Sequence, residues 1–101
     1  MGGDTFSRTT GLTQQILTFS DPGNNNWTAA QDINQTASGF RVITKDGGDI
    51  LLSLDGGTTD HFKFPANLYL TVYVAMGRGH RIAVKRADDG VAFGDVRVEV
   101  F

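Results

Sequence analysis

The chain has 101 residues, a net charge of −2 and no cysteine. This length suits one domain with a modest core, and the lack of cysteine excludes disulfides and thiolate metal sites. The weak, mixed charge argues against a phosphate-binding surface, so we expect no nucleic-acid partner. No apolar run is long enough for a membrane-spanning helix and no secretory signal is recognisable. We therefore expect no membrane association. The absence of cysteine favours synthesis in a reducing cytoplasm.

The first segment, residues 1–13, is polar and rich in Gly and Thr, with Phe6 and Leu12 as its only large apolar side chains. It is either a disordered terminus or a flexible N-terminal arm that becomes ordered on a neighbouring subunit. We divide the chain into this arm and a β-sandwich domain at residues 14–101. In the second interpretation, Phe6 and Leu12 are the candidate contact residues of the arm.

The first predicted strand covers residues 15–20, where Ile16 and Leu17 compete for the inward face. Residues 21–26 indicate a loop, because Pro, Gly and Asn follow one another there. Residues 27–33 predict a second, short strand, although two consecutive alanines weaken its alternation.

From residue 39 onwards, apolar and polar side chains alternate with a period of two, which indicates strands with one buried face. Asp-Gly turns separate several of these runs. The predicted strands are 39–45, 49–55, 59–65, 68–76, 81–85 and 96–100. Together with the first two, this gives about eight strands and predicts an all-β, antiparallel two-sheet β-sandwich of jelly-roll type.

The longest predicted strand points Val72 and Val74 inward and Tyr69 and Tyr73 outward. Its outward positions carry no charge, which is typical either of a face covered by another part of the chain or of a subunit contact. The ring of Phe101 also needs a packing partner. We therefore take Tyr69, Tyr73 and Phe101 as candidate interaction residues.

Signals for catalysis or metal binding are sparse. Ser53, Asp60 and His61 could be imagined as a triad, but no nucleophile elbow accompanies them, so we predict a protein that is not an enzyme and uses no cofactor. The two histidines, His61 and His80, lack zinc-ligand spacing, and the Asp-Gly clusters suit turns better than a calcium loop. No metal site is predicted.

Trp27, which follows three asparagines, has three interpretations. It is a core or inter-sheet residue, a subunit contact, or a platform on which a sugar ring stacks. The last interpretation would make the protein a carbohydrate-binding module.

A combination of motifs in the second part of the chain points to a family. A strand leads into a Leu-Asp-Gly-Gly-Thr-Thr turn, followed by a short Phe-rich strand ending in Pro-Ala, a long apolar strand and two closing strands. The residues that carry the pattern are 41–44, 49–59, 62–66, 81–86 and 96–100. In these motifs the chain resembles a recurring type of small virion protein of tailed bacteriophages. Asn67 departs from the pattern, which has Gly there, but Asn tolerates the left-handed conformation.

The resemblance implies a structural virion protein, in the first instance a capsid decoration protein that stabilises a phage head by binding at subunit junctions. The implied partner is the major capsid protein or another virion protein, and the implied location is the virion. Decoration proteins often occupy local three-fold positions, so the resemblance also implies a homo-oligomer, with a trimer favoured. The alternative is a receptor- or glycan-binding module of a phage tail or fibre.

Overall fold

The computed structural model describes residues 15–101, and the predicted contact residues Phe6 and Leu12 lie outside this range. The described residues form eight strands and no helix. The strands are β1 (Gln15–Phe19), β2 (Gln31–Asp32), β3 (Ala37–Thr44), β4 (Ile50–Ser53), β5 (Phe62–Phe64), β6 (Tyr69–Met76), β7 (Arg81–Arg86) and β8 (Val96–Val100).

The strands form two four-stranded sheets. The first sheet has the order β1-β8-β3-β6 and the second has the order β2-β7-β4-β5. Every pair of neighbouring strands is antiparallel, and consecutive strands mostly lie in different sheets. The predicted all-β fold with two antiparallel sheets is confirmed.

One hydrophobic core lies between the sheets, and both contribute to it. Phe40 is completely buried, and its ring meets those of Phe62 and Phe64 edge-on at centroid distances of 5.7 and 6.4 Å. Phe40 belongs to the first sheet and the other two rings belong to the second, so aromatic contacts join the two layers. The remaining core residues are mainly Val, Ile and Leu at alternate strand positions.

The predicted alternation is confirmed in most strands. In β1, Leu17 enters the core and Ile16 is exposed, which settles their competition for the inward face. Val72 and Val74 pack against the core as predicted, but both are only partly buried. The reason is their position in β6, which is an edge strand of its sheet.

The predicted strand at residues 27–33 is too long, because only Gln31–Asp32 pairs as a strand. At Thr28 the regular pairing of strands is replaced by two bonds to Val84, one of which involves a side chain. The Thr28 N–H donates to the Val84 carbonyl at 2.8 Å, while the Val84 N–H donates to the Thr28 hydroxyl oxygen at 3.1 Å. A side chain has taken the place of a backbone acceptor.

The loop after β1 is held by a charged hydrogen-bond cluster. The Asp21 carboxylate accepts two bonds from Arg86, at 2.7 and 2.9 Å, and further bonds from the N–H groups of Gly23 and Phe93. Asn25 accepts a bond from the Gly90 N–H at 2.7 Å. These bonds lower the pKa of Asp21 well below its usual range, mainly through Arg86, and they raise the pKa of Arg86. The loop after β1 is thereby fastened to the loop between β7 and β8.

Turn geometry supports one further expectation. Asn67, at the position where the resemblance noted in the sequence implies Gly, adopts a φ of 56°. This is the left-handed region, which Asn tolerates better than most residues. The turn between β5 and β6 therefore keeps the geometry expected of it.

Replacing Phe40 with Ala tests the junction between the layers. Loss of a completely buried aromatic ring costs about 3–5 kcal/mol of unfolding free energy. Val91→Ala is the control, because Val91 is 45% exposed in a loop and exposed substitutions usually change stability by about 0.5 kcal/mol or less. Urea denaturation followed by circular dichroism measures both. Equal losses would show that the aromatic contacts do not join the sheets.

Replacing Asp21 with Asn tests the charged cluster. Because folding lowers the pKa of Asp21, its contribution is present above the ordinary value of 3.8 and is lost as the pH falls below it. We expect Asp21→Asn to lower stability at pH 7, and we expect the difference from the unsubstituted protein to shrink as the pH falls below about 4. Asp32→Asn is the control, since the Asp32–Arg81 pair is largely exposed and should contribute little. A difference that does not change with pH would contradict the assignment.

Candidate interaction surface

The outer face of the first sheet carries three rows of side chains, which the strand register places side by side. The middle row contains Ile16, Glu99, Arg41 and Thr71. The row on one side contains Thr18, Arg97, Ile43 and Tyr69. The row on the other side contains Phe101, Gly39 and Tyr73. We call these three rows the outer face. They include three of the residues selected from the sequence: Tyr69, Tyr73 and Phe101.

Glu99 is the centre of charge on the outer face. Its carboxylate accepts a hydrogen bond from Arg41 at 3.1 Å and forms an ion pair with Arg97 at 2.8 Å, and Glu99 is buried although it lies outside the core. Arg41 also lies over the Tyr69 ring, with 5.4 Å from its guanidinium carbon to the ring centroid. The uncharged outward positions of β6 therefore lie beside a compact ion-pair network that the sequence analysis did not foresee.

The aromatic rings on the outer face are well exposed. Tyr69 is 68% exposed and Tyr73 is 79% exposed, which confirms their predicted outward orientation. The Tyr73 and Phe101 rings meet edge-on at a centroid distance of 6.0 Å. Exposed aromatic side chains beside an Arg are a composition enriched at protein interfaces.

Gly39 lies between Tyr73 and Phe101 in its row. A Cβ atom added there would collide with the Val72 carbonyl oxygen. The backbones of β3 and β6 approach closely at a register irregularity between Ala37 and Gly39. With no side chain in between, the rings on the two flanking strands can touch across the glycine.

Trp27 lies outside the core cluster, so its interpretation as a core or inter-sheet residue is wrong. Its side chain is half-buried against the turn after β4: a Cβ added to Gly57 would lie 2.9 Å from the Trp27 Cγ. The Lys85 ammonium lies over the ring, 4.9 Å from its centroid. Two neighbours of its own chain already contact the ring, which leaves less of it for a sugar.

The Ser53, Asp60 and His61 arrangement does not have the hydrogen bonds of a triad. The Ser53 hydroxyl donates to Asp55 at 2.5 Å and accepts bonds from the N–H groups of Asp55 and Gly57. The His61 Nδ1 atom accepts the Leu54 N–H at 3.1 Å. Ser53 is buried and its proton is directed to a carboxylate, so these residues stabilise the turn and do not form a base–nucleophile pair.

Asp55 completes the same turn. Its carboxylate also accepts the N–H groups of Thr58 and Thr59. The bond from Ser53 above all, with those from Thr59, lowers the pKa of Asp55 well below the usual range. The Leu-Asp-Gly-Gly-Thr-Thr motif is thus a self-contained hydrogen-bonded turn. Within residues 15–101, no group of three or more His, Cys, Asp or Glu residues could hold a metal ion. No helix in that range is long and apolar enough to cross a membrane.

Comparisons with protein-family models, curated proteins and solved structures found no significant match to this chain. Any function must therefore be argued from the site itself. The outer face of the first sheet is the most distinctive surface of the described residues. It combines exposed aromatic rings, a buried carboxylate shared by two Arg residues, and an edge strand without charge.

The contact between Gly57 and Trp27 can be tested with a matched pair of substitutions. Gly57 and Gly79 have φ angles of 104° and 102°, but only Gly57 has a neighbour within 4 Å of an added Cβ atom. Gly57→Ala and Gly79→Ala should share the cost of the left-handed backbone. Gly57→Ala should lose about 1–3 kcal/mol more through overpacking and should shift the fluorescence of the single Trp. Equal losses would contradict this packing.

Proposed function

We propose that the protein is a non-enzymatic structural virion protein of a tailed bacteriophage, and in particular a capsid decoration protein that binds at subunit junctions of the head. The observation that carries the proposal is the exposed aromatic face of the first sheet. The motifs shared with small phage virion proteins support it. The partner is the major capsid protein or a neighbouring virion protein, and the location is the virion.

The order of the strands supports a finer description of the fold, a jelly roll. In such a fold, eight antiparallel strands form two sheets and mostly alternate between them, and the first strand pairs with the last. The orders β1-β8-β3-β6 and β2-β7-β4-β5 have this form. Jelly rolls are common among viral capsid domains, although lectins and cupins use them as well. The fold agrees with the proposal and does not decide it alone.

Tyr69, Tyr73 and Phe101 are suitable anchors for a contact with the shell. Rings held on strands lose little conformational freedom when they bind, so more of the gain from burial is kept as affinity. Glu99 already pairs with both Arg41 and Arg97, which leaves these three side chains with a net charge of +1. A partner that covers this face would meet few unpaired charges, which limits the cost of desolvation.

The mechanism is thermodynamic and involves no reaction. A protein that binds only the assembled shell stabilises it by mass action, because disassembly must also break the added contacts. Repeated copies on a symmetric shell multiply this effect. A homo-oligomer would strengthen it further, since several linked copies attach at once.

The alternative of a receptor- or glycan-binding module depends on Trp27. A sugar platform needs an open ring face, whereas this ring contacts Gly57 and lies under Lys85. The half-buried ring can still contribute to a contact with another protein. Trp27 therefore remains a candidate interaction residue, but it is a weaker one than Tyr69, Tyr73 and Phe101. A glycan array separates the two functions: a saturable sugar signal that is lost in Trp27→Ala would favour the alternative.

The decisive experiment is co-sedimentation of the purified protein with expanded heads of the phage whose genome carries the gene. We expect saturable binding, and Tyr73→Asp should weaken it by about tenfold or more, because a charge would be buried in the contact. Val91→Asp is the matched control, since Val91 is an exposed apolar residue in a loop away from this face. Failure to bind the heads, or equal losses in both variants, would overturn the proposal.

A further inference from the structure

We infer that the edge of β6 that residues 15–101 leave unpaired binds β6 of a second copy of this chain, antiparallel and around a two-fold axis. The pairing would join two first sheets into one continuous eight-stranded sheet. It does not depend on the virion role, because it follows from the edge of the strand and can be tested on the isolated protein. Four observations lead to it: the direction of the backbone groups, the state of the other edges, the lack of charge, and the self-complementary order of side chains.

The first observation is the direction of the backbone groups in β6. The Thr44 N–H donates to the Leu68 carbonyl at 2.9 Å. Alternate residues of a strand point their backbone groups to the same side, so Leu68, Leu70 and Val72 face β3. On the other side of β3, the backbone groups of Gly39 bond to Phe101, the residue after β8, so the odd-numbered residues of β3 face β8. The even-numbered residues of β3 therefore face β6, in agreement with the bond from Thr44. The N–H and C=O groups of Tyr69, Thr71 and Tyr73 must then point to the open edge.

The second observation is that the other three sheet edges are short or covered. β2 has two residues, and β5 has three, with Lys63 within it and Pro65 directly after it. Beside β1, the Gln31 side chain donates to the Thr18 carbonyl at 2.8 Å. The Gln15 side chain donates to the Asp32 carbonyl and accepts the Asn34 N–H. Short strands, Lys, Pro and covering side chains are the usual devices that prevent pairing between edges.

The third observation is that β6 has none of these devices as far as the described part of the chain shows. It is eight residues long, with the sequence YLTVYVAM, and it contains no charge, no Pro and no Gly. Leu70 is 43% exposed in addition to the two Tyr side chains. Among the described residues only β3 pairs with it. A long, apolar and uncharged edge of this kind is what an added strand requires.

The fourth observation identifies the added strand as a second copy of β6. An antiparallel pair centred on Thr71 places Tyr69 opposite Tyr73 of the other copy, and the symmetry creates this aromatic pair twice. Cross-strand aromatic pairs are among the stabilising pairs of antiparallel sheets. Tyr69 already contacts Arg41, and Tyr73 already contacts Phe101. On each side of the axis, the pairing would therefore bring the Arg41–Tyr69 contact of one copy next to the Tyr73–Phe101 contact of the other copy.

The same geometry favours a pair over the trimer expected from the resemblance. A ring of three needs two different edges, with β6 of one copy bound to another edge of the next copy. The other edge of the same sheet is β1, where Gln31 occupies the Thr18 carbonyl. Two identical edges instead satisfy each other around a two-fold axis, and the assembly closes after two copies.

Cysteine cross-linking tests the pairing directly, because the chain contains no cysteine. Thr71→Cys would place two thiols opposite each other at the axis, so a short bis-maleimide should convert most of this variant to covalent dimer at micromolar concentration. Thr18→Cys is the matched control: it is exposed on the same face of the same sheet but lies on β1. We expect it to remain monomeric after the same treatment.

A second pair of variants checks the register and does not depend on Thr71. Tyr69→Cys and Tyr73→Cys should each cross-link poorly alone and efficiently when mixed, because residue 69 of one copy lies opposite residue 73 of the other. Light scattering of the unsubstituted protein should show a dimer that dissociates on dilution. A monomer or a trimer in light scattering, or Thr18→Cys cross-linking as well as Thr71→Cys, would overturn the inference. Cross-linking of Tyr69→Cys with Tyr73→Cys no better than either variant alone would overturn the register.

Discussion

The pairing between β3 and β8 at the centre of the first sheet determines the positions of nearly all the other elements. Phe40 lies opposite Val100 and Val42 lies opposite Val98, so both strands turn the same parity of residues towards the core. A slip by one residue would move every buried side chain of one strand to the wrong face. The same register places Arg41 beside Glu99 on the outside. The core and the ion-pair network are thus two results of one alignment.

The two sheets use their outer faces differently. On the second sheet, Ser53 and Ala83 are buried at outward positions, the Ser53 hydroxyl binds the turn after β4, and Trp27 packs against that turn. On the first sheet the central ion pairs are buried while the aromatic side chains at the β6 edge remain open. A surface already covered by its own chain has little left to offer a partner. This contrast is the reason why the proposed contact uses the first sheet.

The sequence predicted the parts of the fold that depend on period-two alternation. The inward positions of β3, β4 and β8 follow from single runs of residues, because an alternating strand needs no knowledge of its neighbours. β2 could not be bounded in this way, since Thr28 bonds through its side chain to Val84, far along the chain. Phe93 lies in the core outside any strand, where no periodicity marks it.

The candidate surface was predictable only in part, for the same physical reason. The outward orientation of Tyr69 and Tyr73 follows from their own strand. Burial of Glu99 on the outside depends on Arg41 and Arg97, and Arg41 belongs to a strand that only the folded sheet places beside it. The Asp21–Arg86 cluster likewise joins residues 65 positions apart. Contacts between residues so far apart produce no recognisable pattern in the sequence around either residue.

The pairing of β1 with β8 affects the order in which the chain can fold during synthesis. β1 has β8 as its only partner within the described residues, so β1 has nowhere to pair while the chain is still emerging from the ribosome. The apolar side chains of β1 must wait until residues 96–100 have left the exit tunnel. Non-local strand pairing is slow, and waiting strands are prone to wrong contacts. The interval before β8 is available is therefore the period in which β1 is most exposed to wrong contacts.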